Sequence, residues 1–335
     1  MNIKKIGLTA LAGSLVAMSA AVAGELAVSG SAKLSYTGKG GNEDSTVTGS
    51  GFGMQENIGF NGSGEMDNGM TVSLSHTLHS DAAGASTSSI TLDMGSAGVL
   101  TFAEGTSGIG ITAIDDVMPT AEEEVSNGLG IAIADSATGV AQAGNTYEAN
   151  MGKTGFNYAY SMDMGSIVLG YSPKNTSARV DDGGTSGAGA ATESGKSVHV
   201  VLDSLVDGLT VYAGTANNGV DDHDTAALKY AAGPVTVGYQ WSEIDREAAN
   251  SGSAADSERT QASIAFAIND DLSVSYGVIE TDITGQAKDE ELSGFSVGYS
   301  MGGMTINAHR NEGEDMGGAA NNASEHTEIS ISFAF

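Results

Sequence analysis

The amino-acid sequence predicts an all-β fold, a closed antiparallel barrel of 16 strands that spans a membrane, and three observations carry that expectation. Apolar and polar residues alternate with period two along most of the chain, while helical periodicity is scarce. Connections between these segments alternate between short and long in strict order. Glycine is abundant, 48 of 335 residues against 3 Pro, which supplies tight turns and small side chains without a collagen-like repeat.

Composition excludes several functions. With 13 Lys plus Arg against 42 Asp plus Glu, the formal charge is −29, so no basic surface exists to neutralise the phosphates of a nucleic acid. The absence of Cys removes disulfide scaffolds, thiolate metal sites and thiol nucleophiles. Mean hydropathy is only −0.06. A barrel explains that value, because half of each strand faces lipid and half faces water.

Along the chain, Met1 to Ala23 reads as a secretory signal peptide. Lys4 and Lys5 form its basic start, Ile6 to Val16 its apolar core, and Ala21-Val22-Ala23 its cleavage site. Residues 24–335 then form one barrel domain, in which no stretch approaches the roughly 20 continuous apolar residues of a membrane helix. The opening strand holds Leu26, Val28, Leu34 and Tyr36 in one register. Short turns follow at Gly64 to Gly69, Gly95 to Gly98, Met162 to Gly165, Leu205 to Gly208, Gly233-Pro234, Asn269 to Asp271 and Met301 to Gly303. Between them lie longer polar segments: Thr37 to Thr48, Ser80 to Ser86, Gly105 to Asn145, Lys174 to Gly195, Ala216 to Asp224, Glu243 to Ser257, Thr281 to Glu290 and Asn311 to Ser324. Seven turns and eight loops join 16 strands and leave both chain ends on the short-turn side. About 19 residues per strand and connection suit membrane strands of about 9 to 11 residues. In the later strands Val235, Val237, Tyr239 and Trp241 oppose Thr236, Gly238, Gln240 and Ser242, and the last strand sets Ile329, Ile331, Phe333 and Phe335 against Glu328, Ser330 and Ser332. Many aromatics sit on the apolar register near strand ends, as interfacial girdles require.

On these residues the chain resembles the general Gram-negative outer-membrane porins, in particular the 16-stranded alphaproteobacterial type. The resemblance covers the whole mature chain. It rests on His326 to Phe335 with its terminal aromatic, on Glu25 to Tyr36, on the long third loop after Gly98 to Glu104, and on Asn145-Thr146-Tyr147 leading into Gly155 to Met162. What it implies is a homotrimer in outer-membrane lipid and lipopolysaccharide, with short periplasmic turns, long extracellular loops and a water-filled channel. Ions and small hydrophilic solutes would diffuse through passively, with no chemical step and no cofactor. The third loop, Gly105 to Gly144, would fold into the pore, and Phe335 resembles the signal read by the barrel insertion machinery.

That loop carries Asp115, Asp116, Glu122, Glu123 and Glu124 within ten positions, beside apolar anchors Ile109, Ile111, Ile114, Val117, Met118, Leu129, Ile131 and Ile133. Acidic rings at a constriction favour cations, so these five are the candidate constriction residues. The family sets a basic wall opposite such a loop. Register places Lys33, Lys229 and Arg259 on the inward face as candidates for that wall, together with His199 and Asp203. With only four Arg in the chain the wall is thin, and a preference for cations is expected. Acidic runs such as Asp181-Asp182, Asp221 to Asp224 and Glu312 to Asp315 are assigned to outer loops, where a solvated surface is the plain expectation and loop-bound Ca²⁺ a secondary one. No sequence motif for hydrolase, zinc or nucleotide chemistry occurs. The competing readings are a barrel adhesin, an acidic surface-layer protein and a substrate-specific porin.

Overall fold

The computed structural model describes residues 25–41, 49–80, 86–104, 109–129, 133–134, 141–142, 154–173, 179–180, 185–186, 194–217, 221–246 and 255–335. The expected signal peptide, the Asp181-Asp182 pair and most of residues 130–153 lie outside them.

Sixteen strands close into one barrel, each hydrogen-bonded to its neighbours in chain order. They are β1 (Glu25–Gly41), β2 (Gly49–Glu65), β3 (Thr71–His79), β4 (Ser86–Asp93), β5 (Val99–Glu104), β6 (Thr154–Met162), β7 (Gly165–Ser172) and β8 (Gly195–Val206). The second half comprises β9 (Leu209–Asn217), β10 (Asp221–Ala232), β11 (Val235–Arg246), β12 (Ser257–Ala267), β13 (Leu272–Ile283), β14 (Glu290–Met301), β15 (Met304–Glu314) and β16 (Ser324–Ala334). Two-residue ladders, Ile133–Ala134 with Ala141–Gln142 and Arg179–Val180 with Thr185–Ser186, stand apart from the barrel. Antiparallel pairing of β1 with β16, from Ser31 opposite Ala334 to Gly41 opposite Ser324, removes the last free edge. Phe335 completes the seam, since Gly30 and Phe335 exchange backbone bonds of 2.7 and 2.9 Å.

The short–long alternation holds except at β9–β10, where three residues, fewer than in several short turns, stand in place of the expected longer segment because Asp221 to Asp224 join β10. Each of the seven short turns joins the expected strand pair. Asn269 shows how local chemistry sets one of them: its Oδ1 accepts the N–H groups of Asp271 and Leu272, both at 2.9 Å. In two others Gly233 (φ 60) and Gly302 (φ 63) take the left-handed conformation that two-residue hairpins favour.

Period two sorts the side chains by medium. Leu26, Phe52, Leu74, Ile90, Tyr276 and Phe333 point outward and are about half or more exposed, as lipid-facing residues are in an isolated chain. The inward register is largely Ser, Thr, Asn, Gln and Gly. Apolar cores therefore form inside the lumen, where loops meet the wall, rather than between sheets. One unites Ala103, Ile109, Ile111, Ile114 and Ala216, and the other Leu129, Ile279, Leu292 and Met316.

Two expectations need correction. Asp221 to Asp224 and Glu312 to Glu314 belong to β10 and β15, not to outer loops. Ladder pairing with β9, β11, β14 and β16 extends these strands beyond the apolar belt despite their acidic composition. The alternation also divides the first run: His223 turns inward and is 2% exposed, while Asp222 and Asp224 face out.

Candidate functional site

The segment Ile109 to Leu129 runs inside the barrel, and the inner wall is built to receive it. Its entry is fixed by the Gly110 N–H, which donates to Asn157 of β6 at 2.7 Å. One 3-10 turn, Gly110–Ile114, then presses Ile109, Ile111 and Ile114 against the inner faces of β5 to β9. At β11 the fully buried Gln240 donates from Nε2 to the carbonyls of Ile114 (3.0 Å) and Asp115 (2.8 Å) and accepts the Val117 N–H at 3.1 Å. Ser263 donates to the Pro119 carbonyl at 2.8 Å, and Ser275 accepts the Ala121 N–H at 2.9 Å. Asn311 of β15 donates to the carbonyls of Glu124 (3.3 Å) and Asn127 (2.9 Å). Side chains from five strands thus satisfy backbone groups that an irregular segment would otherwise leave unpaired.

Close approach requires small residues in the wall. A Cβ on Gly238 would lie 2.5 Å from Pro119 Cδ, and one on Gly277 would lie 2.7 Å from Val125 Cγ2. These inward glycines form part of a groove along which the loop lies.

The last outer connection closes over the end of this segment. Met316 is fully buried beside Leu129, and the Gly317 N–H donates to Glu290 Oε2 at 2.8 Å. Glu290 Oε1 in turn lies 3.8 Å from Nη2 of Arg259, whose Nε donates to Thr281 Oγ1 at 3.2 Å.

The five candidate acidic residues divide into three settings. Asp115, Asp116 and Glu124 converge on the lumen side. Desolvation, then a hydrogen bond with Asp116 and the charges of Asp116 and Asp115, push the Glu124 carboxyl up to about 8, although it still presents surface to the lumen. Glu123 is 42% exposed and lies 3.9 Å from Nζ of Lys33. Glu122 instead turns to the wall: its side chain is 4% exposed and bonds to His309 Nδ1 at 2.6 Å.

The expected basic wall does not assemble. Lys33 faces the acidic segment from β1 but is bound by Glu328 at 2.6 Å. Lys229 is on the inner face of β10 with Nζ 5.6 Å from the Tyr212 ring centroid. Arg259 is inward but 5% exposed, because the final connection folds over it and Glu290 occupies its charge. His199, 4% exposed, is covered by the loop near Ile111 and Ile114. Asp203 is exposed at the short-turn end, where the β8–β9 register shifts between Leu202 and Val206.

Across the lumen, the inner sides of β1 to β4 present Ser29, Asn57, Asn61, Ser75, Ser89 and Thr91, a largely neutral hydrogen-bonding wall to which β1 adds Lys33 and Lys39. Sequence reasoning did not single out His309, His326, Glu328, Glu290 or Gln240. Their inward register was readable from the alternation, but their convergence comes only with closure of the barrel. Among the described residues, no group of three or more His, Asp or Glu is arranged to hold a metal ion.

A family model described as Gram-negative porin matches residues 7–334. No curated protein matches. Among solved structures, a refined porin superposes with TM-score 0.62 at 16% identity, covering 93% of this chain and 100% of that one. A mutant of the Rh. blastica porin gives 0.62 at 15%, with the same coverage. An anion-selective porin from Comamonas acidovorans gives 0.60 at 14%, again covering 93% and 100%. At such identities the likeness speaks for the fold, and the fold alone does not dictate which ion is preferred.

Proposed function

The chain belongs to the Gram-negative porin family, an outer-membrane channel architecture, and from that premise we propose a cation-preferring pore for ions and small hydrophilic solutes. The observation that carries the preference is the acidic loop edge, Asp115, Asp116 and Glu123, joined by Glu124 as it ionises, set across the lumen from a largely neutral wall whose Lys33 is already bound by Glu328. Carboxylates that outnumber the cations near them concentrate cations at a narrow passage and repel anions. In this reading the loop from Gly105 to Gly144 sets the width, Met1 to Ala23 is removed on export, and Phe335 serves barrel insertion. Three copies assemble in the outer membrane, with lipid and lipopolysaccharide around them.

Planar-bilayer recording is the test. Reversal potentials in a KCl gradient are expected to show potassium preference, and a chloride preference would refute it. Deleting Thr112 to Ser126 is expected to enlarge single-channel conductance. An unchanged conductance would show that the loop does not limit the passage.

A further inference from the structure

Glu122 is the member of the acidic segment that turns away from the lumen. Its Oε2 lies 2.6 Å from His309 Nδ1, whereas Oε1 is buried with no hydrogen-bond partner among the described residues. A carboxylate so desolvated depends on its one polar contact. His309 is 3% exposed, and its Nε2 lies 2.9 Å from Nδ1 of His326, which is also 3% exposed. Gly128, near the end of the same loop segment, packs on the His326 ring.

The donors and acceptors of this chain can be counted. An ionised Glu122 only accepts, so the His309 Nδ1–H donates to it, His309 Nε2 accepts, and the His326 Nδ1–H donates. Every contact is then satisfied with both rings neutral. One added proton is accommodated, because a His309 imidazolium donates from both nitrogens, to Glu122 and to a bare Nδ1 on His326. A second is not. Two N–H groups would face each other across 2.9 Å on two charged rings. Glu328 of β16 and Lys39 of β1 also face His326, and Lys33 neutralises Glu328 while approaching Glu123 of the loop.

We propose that His309 and His326 are positioning residues that seat the charged end of the loop through Glu122, in a hydrogen-bonded chain that holds with one added proton and breaks with a second. The proposal rests on the reading that this loop narrows the channel. At neutral pH the chain fixes where Glu123 and Glu124 stand. Acidification to the doubly protonated state releases the loop end at His326 and Gly128.

Imidazole ¹⁵N shifts of the full chain in detergent micelles test the chain without reference to conduction. As pH falls from about 8 to about 3, the pair is expected to take up its two added protons in linked steps, with the resonances of both rings responding to each step. Independent titrations of the two rings in the wild-type protein would overturn the proposal. Planar-bilayer recordings over the same range form the second arm. The wild-type channel is expected to show a conductance step at the second protonation. His326→Asn, whose side-chain amide can stand in for the Nδ1–H without titrating, is expected to lose that step. Retention of the step in His326→Asn, or its absence from a conducting wild type, overturns the positioning role. Silence of the wild type at every pH would instead strike the channel reading, and the imidazole titration would then decide the chain by itself.

Discussion

Glu124 stands beside Asp116 and Asp115, and three carboxyls that close cannot all stay ionised without cost. Its carboxyl is raised from an ordinary 4.5 to about 8, so it is largely protonated at neutrality and gains its charge as pH rises past that point. Cation preference is therefore expected to increase between about pH 7 and pH 9. Reversal potentials measured across that range check it, and in Glu124→Gln the increase should vanish. The linkage has a definite sign. A folded-state value above the unfolded one favours the folded protein fully below about 4.5, and that contribution is lost as pH rises through about 8. A second residue-scale prediction concerns Arg259, held by Glu290 in a covered site with side chains 6% and 2% exposed. Arg259→Met leaves the Glu290 carboxylate buried with the Gly317 N–H and should cost about 3 kcal/mol, toward the lower end for a buried pair because the ions are 3.8 Å apart. Urea unfolding in detergent should show this loss, and the double variant Arg259→Met with Glu290→Gln should recover much of it.

The inner wall and the loop behave as one element, joined by side chains that bond the loop backbone and by glycines that let it lie close. Gly238→Ala and Gly277→Ala each place a Cβ inside 3 Å of Pro119 or Val125, so the loop must shift toward the lumen. The expected cost is about 1 to 3 kcal/mol of overpacking. Single-channel conductance should fall or become heterogeneous while the strand signal in circular dichroism stays unchanged. An unaltered conductance would mean that the groove does not determine the loop's place. The strands and turns of this element were legible because period-two alternation is a local signal, as in Val235 to Ser242, and the apolar anchors Ile109, Ile111 and Ile114 were legible as a set. Other features depend on distant chain segments. Glu122 meets His309 across 187 positions of sequence, and His309 meets His326 only because β15 and β16 pair with Asn311 opposite His326. Arg259 read as an open lumen cation because Asn311 to Ser324 looks like a solvated loop. Left-handed backbone at Asp315 (φ 47), Gly317 (φ 63) and Gly318 (φ 76) turns that connection inward and buries Met316 instead.

For the whole molecule, barrel height decides how it sits in a bilayer. Among the described residues the strands are uneven: β13 and β14 have 12 residues each, whereas β4 has 8 and β5 has 6. The described part of β5 rises about 20 Å along the strand, and a tilt of about 40° lowers this to about 15 Å, less than an apolar band about 25 Å tall. The outward residues there are Ile90, Leu92, Leu100 and Phe102, with the Phe102 ring tilted against that of Phe156, centroids 4.9 Å apart. A low wall with an apolar outer face is better covered by protein than by lipid, so this side is where neighbouring copies should meet. Light scattering corrected for bound detergent is expected to give three chains for the wild type. Leu100→Arg, at 36% exposure on that side, should shift the mass toward one chain. Tyr276→Arg provides the contrast, since it is 49% exposed on the tall wall of β13. It faces lipid rather than a neighbour, so it should leave the assembled mass unchanged and lower the yield of inserted barrel through the cost of a charge in the apolar band. Equal effects of the two substitutions on assembly would place the contact surface elsewhere on the barrel.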